Sequence, residues 1–140
     1  MYVLDTDTLS LLFTGHAGVL AKQATVPSSE IATTIVARIE VLRGWFDYLM
    51  KAVSGEDLLR AQAWLDRTVR SLAQVTTVIP IEPSAAAKFD SLRENKKLRK
   101  IGRGDLLIAA ITLAERATLV TRNVKHFRLV PGLQIENWAN

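Results

Sequence analysis

The chain has 140 residues and a mass of 15.5 kDa, with 49% apolar residues, no cysteine and a formal net charge of +4 (pI 9.7). That length and apolar content imply one domain, residues 1–140, with a proper core, and exclude a disordered chain. Without cysteine there are no disulfides, zinc–thiolate centres or thiol nucleophiles, and the basic balance is compatible with a polyanionic partner without requiring one.

Tyr2-Val3-Leu4 reads as a short strand covered on both faces, as in a parallel sheet, and it ends in two carboxylates, Asp5 and Asp7. Thr8 to Phe13 is expected to form a short helix, with Gly15 and Gly18 punctuating a second one through Ala24. After the Pro27-Ser28-Ser29 loop, Glu30 to Thr34 reads as a second strand. A long amphipathic helix follows, with Ile35, Ile39, Leu42, Phe46 and Leu49 as its apolar stripe and Glu40 just off it. Ser54-Gly55 breaks that pattern, and Glu56-Asp57 start another helix that runs to about Ala73. Thr76 to Ile81 is strand-like, and Pro83 opens a helix that continues to Glu94.

Lys96, Lys97, Arg99, Lys100 and Arg103 then crowd into a basic loop ended by Gly102 and Gly104. Asp105 begins a helix that is apolar on every face and is therefore expected to be buried. Its run from Leu106 to Ile111 is the longest uninterrupted apolar stretch, far below membrane-spanning length. No basic segment followed by an apolar run opens the sequence, so a soluble, cytoplasmic protein without a membrane partner is expected. Thr118 to Thr121 reads as a fourth strand, Arg122-Asn123 as a turn, and Leu133 to Glu136 as a short last strand.

Strands alternating with helices indicate an α/β fold: a small parallel sheet of four or five strands with helices on both sides. In such a sheet a helix that directly follows a strand starts at the carboxyl edge, where ligands bind. Asp5 and Glu40 are thereby expected at one edge, and the basic loop would deliver Arg103 and Asp105 to it. Thr121 and Asn123 arrive there after the fourth strand.

Taken singly, these residues have ordinary explanations. Asp5, Asp7 and Asp105 could each cap a helix, Glu40 could pair with Arg43 or Lys51, and the basic run could be a solvated loop. His16 and His126 stand alone in sequence and read as solvated or structural. Trp45, Phe46 and Trp64 read as core, with a share left for a partner surface. Taken together, carboxylates converging from distant positions repel one another unless a cation lies between them. Magnesium and manganese suit an all-oxygen donor set completed by substrate phosphate, which points to phosphodiester hydrolysis. Lys100 and Arg103 would then hold the phosphates of a polyanion.

Four segments carry a family resemblance: Tyr2-Val-Leu-Asp5-Thr6-Asp7, Ala37-Arg-Ile-Glu40-Val-Leu-Arg-Gly44, Gly104-Asp105-Leu-Leu-Ile-Ala-Ala, and Leu119-Val-Thr121-Arg122-Asn123 followed by His126-Phe127. With the closing Val130-Pro131-Gly132-Leu133 and Glu136-Asn137-Trp138, the chain resembles the PIN-domain ribonucleases from end to end. Within them it is similar to the VapC toxins of bacterial type II toxin–antitoxin modules. The resemblance implies a three-layer PIN-like domain and a metal-dependent endoribonuclease, with Asp5, Glu40 and Asp105 as the triad that coordinates magnesium or manganese. It also implies an RNA substrate, a homodimer, and a cognate VapB-type antitoxin whose C-terminal segment occupies the groove near the site. The family usually has Asn where this chain has Asp7, and Asp or Asn at the position of Asn123. Asp7, Thr121 and Asn123 are accordingly expected to support the triad.

Two other readings compete. Asp5, Asp7 and Thr8 also satisfy an Asp-x-Asp-x-Thr motif that resembles haloacid-dehalogenase-type phosphatases, in which Asp5 would be a nucleophile. That reading wants a second Asp four residues after Asp105, where Ala109 stands, and leaves Glu40 without a role. The other is a non-catalytic domain, either a response-regulator-like switch with Lys125 as its lysine or a module that holds RNA through the basic loop.

Overall fold

The computed structural model describes residues 1–75 and 77–140. Its elements, in chain order, are β1 (Tyr2–Leu4), α1 (Thr6–Phe13), α2 (Ala17–Gln23), β2 (Ile31–Thr34), α3 (Ile35–Met50), α4 (Gly55–Ala73) and β3 (Thr77–Ile79). They continue with α5 (Pro83–Glu94), α6 (Arg103–Ala114), β4 (Thr118–Val120), α7 (Val124–Phe127) and β5 (Gln134–Glu136). Short 3-10 turns at Ser28–Glu30 and Lys96–Leu98 precede β2 and follow α5. Thr76, expected in the third strand, lies outside the described residues.

All strand pairings are parallel, in the order β3-β2-β1-β4-β5. Every residue of β2 is buried, as are Val3, Leu4, Leu119 and Val120. Successive strand residues point to opposite faces, so burial of consecutive residues means that helices cover both faces. The result is the expected three-layer α/β arrangement, with the fifth strand present. From β1 the chain moves outward to β2 and β3, then crosses back to place β4 on the other side of β1. The strand order therefore reverses between β1 and β4. In open α/β sheets the crevice at the carboxyl ends of such a pair is the natural ligand position.

Helix boundaries follow local chemistry. The first helix starts two residues earlier than expected, at Thr6, because Asp5 caps it by accepting from the Thr8 N–H at 2.8 Å. Thr34, the last residue of β2, caps α3 directly, so no loop separates strand from helix. The nitrogen Nδ1 of His16 accepts from the Val19 N–H and caps α2.

The stripe expected to face the core on α3 is largely misplaced. Ala37 and Val41 are the buried residues, whereas Ile39 is 53% and Phe46 45% exposed. Large apolar residues occur on two faces of this helix, and the face that packs is the one with the small Ala37, which lets neighbouring elements approach. Trp45 is half-buried and stacks on Trp64 of α4, with ring centroids 5.1 Å apart and planes within 2°.

The four-residue helix α7, which the turn at Arg122-Asn123 did not foreshadow, carries Phe127, the largest fully buried side chain. Truncation there leaves a cavity that a rigid parallel sheet cannot close. We expect Phe127→Ala to cost about 3–5 kcal/mol of stability, read as a lower denaturation midpoint at unchanged slope in urea.

Candidate active site

Asp5 leaves the end of β1 at the reversal point, its N–H donating to the Val120 carbonyl of β4 at 3.1 Å. The residue is only 5% exposed. Burial pushes its carboxyl above the ordinary value of 3.8, hydrogen bonds from the Thr121 hydroxyl and the Thr8 N–H act the other way, and the charge of Asp7 adds to the rise. Capping α1 and facing the crevice are thus compatible roles, because the cap engages Oδ1 alone.

Thr121 is fully buried and links Asp5 to the next turn. Its Oγ1 accepts from the Asn123 N–H at 2.9 Å, and the Asn123 amide nitrogen lies 2.9 Å from Nδ1 of His126. This backbone turn fixes the hydroxyl that faces Asp5.

Glu40 reaches the same region from the second turn of α3. Its Oε1 accepts from the Thr6 hydroxyl at 2.5 Å, and neither Arg43 nor Lys51 makes an ion pair with it among the described residues. The other oxygen lies against α6: a Cβ built on Gly104 would stand 2.7 Å from Glu40 Oε2. Only a residue without a side chain admits the carboxylate so close to the first turn of that helix, whose free N–H groups favour negative charge.

Asp105 is half-buried in the first turn of α6. It is not the cap expected from its position, since Gly102 occupies that place and no side chain caps the helix. Burial is the main reason its carboxyl is raised above 3.8, followed by the charges of Asp5 and then Glu40, with His126 acting in the opposite direction. Asp105, Asp5 and Glu40 therefore share one electrostatic neighbourhood. Among the described residues, no three His, Cys, Asp or Glu side chains are gathered into a set that would hold a metal ion as they stand.

Asp7 sits at the rim, 3.7 Å from an Arg122 guanidinium nitrogen, and such an exposed pair stabilises little. Arg103 is exposed, with its guanidinium 5.1 Å from the centre of the Phe89 ring, and Lys100 is exposed in the turn before α6.

Thr6, Gly104, Arg122 and His126 belong to this neighbourhood without having been singled out for it. Gly104 read as the end of a loop and the start of a family segment, not as a neighbour of Glu40. His126 has no spaced metal partner, but its place three residues after Asn123, where helical side chains meet, was a legible signal.

The PIN domain profile matches residues 2–133. Ribonuclease VapC1 of Haemophilus influenzae (strain R2866) is 26% identical over 142 aligned residues, covering 99% of this chain and 98% of that protein. Ribonuclease VapC2 of Rickettsia felis is 58% identical over a 38-residue segment, 27% of this chain and 28% of the relative. Among solved structures, VapBC2 from Rickettsia felis bound to a DNA fragment from its promoter superposes with a TM-score of 0.76. It is 27% identical and covers 98% of each chain.

A carboxyl whose value is raised by folding binds its proton more tightly in the folded state. Its contribution to stability is complete below the ordinary value and is lost as pH rises through the raised one. We therefore expect Asp105→Asn to melt above the parent at neutral pH, with the gap closing as pH falls toward 3.8. Thermal melts of both proteins across that range, in EDTA, check the sign.

Proposed function

This chain belongs to the PIN-domain family, and on that premise we propose that it is a metal-dependent endoribonuclease, the toxin of a toxin–antitoxin pair. The observation that supports the reading is positional: Asp5 is buried at the end of β1 beside β4, and Glu40 lies against Gly104 in the first turn of α6, next to Asp105. Their donor set is oxygen alone, which suits a divalent cation; burial, and then the charges of Asp5 and Glu40, raise the carboxyl of Asp105. Asp5, Glu40 and Asp105 are the proposed ligands of Mg2+ or Mn2+. A bound ion of that kind activates water and offsets charge on the phosphate oxygens.

The chain's own residues supply the framework. Thr121 and the Thr8 N–H hold the Asp5 carboxylate, Thr6 holds Glu40 while Gly104 leaves room for it, and Asn123 supports Thr121 while pairing with His126. Asp7 adds negative charge at the rim, and Lys100 and Arg103 are proposed to contact the phosphates of the RNA. We assign this activity to residues 1–140 as one PIN-like domain working in the cytoplasm; no described helix is long and apolar enough to cross a membrane.

A groove of about 350 Å³ beside the acids, lined by Thr6, Glu40, Val41, Trp45 and Tyr48, suits the C-terminal segment of a VapB-type antitoxin. The solved relative named VapBC2 is consistent with such a partner. Exposed Met50, Val53 and Leu59 near the α3–α4 junction offer apolar area for the homodimer.

Asp5→Asn keeps the helix cap and removes the charge. It should lower RNA cleavage more than about a hundredfold while RNA binding persists. Unchanged cleavage by Asp5→Asn, or a phosphoryl group trapped on Asp5 in a protein that cuts no RNA, overturns the assignment. Gly104→Ala separates geometry from folding. Helix propensity predicts a stability gain of up to about 1 kcal/mol, while the displaced Glu40 carboxylate should weaken manganese binding in calorimetry.

A further inference from the structure

Where α5 and the turn after it meet α6, Arg93, Arg99 and Arg103 line a pocket of about 200 Å³ with Phe89, Leu98 and Leu106 in its wall. Arg103 and Arg93 lie 5.1 Å and 5.8 Å from the centre of the Phe89 ring. All three arginines are exposed, and no ion pair among the described residues joins any of them to an acid. Guanidinium groups stay charged at any physiological pH, so three of them around one pocket make a positive patch that attracts an anion. The ring holds two of them in place, which lowers the conformational cost of presenting their forks to a phosphate.

The position of the pocket says which phosphate. Arg103 and Asp105 are two residues apart in one helical turn, hence about 200° apart around the axis. Gly104, between them, faces Glu40. Asp105 and Arg103 thus leave the first turn of α6 on opposite sides, Arg103 on the side of the pocket. A polyanion brought to the acids is repelled by them, and attraction from a neighbouring subsite offsets that repulsion.

We infer that Arg93, Arg99 and Arg103, arranged around Phe89, form a subsite for a backbone phosphate of single-stranded RNA, a neighbour of the bond presented to Asp5, Glu40 and Asp105. The subsite rests on the ribonuclease reading above and adds Arg93 and Arg99 to the residues that hold the substrate. Lys100 does not line it.

The test is fluorescence anisotropy of the full chain with a short, mixed-sequence, single-stranded oligoribonucleotide in EDTA, where no metal-dependent cleavage occurs. The Arg93→Gln, Arg99→Gln double variant should bind about tenfold or more weakly. Its salt dependence should fall by roughly 0.7 in log–log slope for one phosphate lost, with melting temperature and manganese affinity unchanged. Removing two charges outside the pocket, with Lys51→Gln and Lys88→Gln, should have a smaller effect. Equal weakening by the lysine pair means diffuse charge and overturns the subsite, as does displacement of the oligonucleotide by an equal concentration of inorganic phosphate.

If the double variant unfolds, Arg99→Gln alone serves, since Arg99 makes no ring contact, and wild-type RNA affinity in that variant overturns the proposal. Wild-type protein that cleaves RNA beside a double variant that binds it normally sinks the subsite alone. Arginine-dependent binding by a protein that cleaves no RNA supports the subsite and sinks the nuclease reading.

Discussion

Burial of carboxylates at the reversal point between β1 and β4, with repulsion among them second to it, is the constraint on which the site is built. Asp5 is buried there, and burial of a charge is costly unless hydrogen bonds or a counter-charge compensate. The fold supplies the hydrogen bonds through Thr121 and the Thr8 N–H, each fixed by elements that also build the sheet. The Thr8 hydroxyl donates to the Val120 carbonyl at 3.1 Å, and the Asp5 N–H donates to the same carbonyl. The joint between β1, α1 and β4 is therefore also the mount of the first acid. A protein stabilised at its own site would have neutral groups here, and the tension between stability and a charged cluster is the usual signature of a functional centre.

The end of α6 organises charge of both signs. Gly104 lets Glu40 lie against the first turn, Asp105 adds a second carboxylate, and Arg103 leaves the same turn on the opposite side, beside Phe89. Orphan N–H groups at the helix start favour the acids. Separating the two signs around the helix allows a polyanion to be attracted and presented without neutralising the groups that act on it. Direct Arg103–Asp105 pairing would forfeit both functions, and their angular separation on the helix opposes it.

Much of this was legible because parallel topology is restrictive. Once β1 and β2 were recognised, the right-handed, strand-then-helix rule put Asp5 and Glu40 at one edge, and the all-apolar run after Asp105 fixed α6 as a buried helix. Other features depend on information a local pattern does not carry. Two faces of α3 have large apolar residues, and only the packing of α1, α4 and α6 selects Ala37 and Val41 for the core. The four residues of α7 are too few to show a helical period, which hid the anchoring of Phe127 and the pairing of Asn123 with His126. Capping and site roles for Asp5 looked like alternatives in one dimension, but a carboxylate has two oxygens and the cap engages one.

The misread stripe on α3 has its own meaning. Periodicity reports that a face is apolar, not what covers it, and the face bearing Ile39 and Phe46 is left exposed by this chain. Glu40 follows Ile39 directly, and the groove beside the acids is walled by Trp45 and Tyr48 from the same helix. Trp45 is fixed by its stack on Trp64, so the groove wall is preorganised. A protein segment lying along this helix would gain apolar burial from the wall while its polar groups meet the carboxylate rim. The groove wall and the glutamate that joins the acidic cluster thus come from one side of α3, whereas Ile39 and Phe46 lie on another face of the helix and do not line the groove.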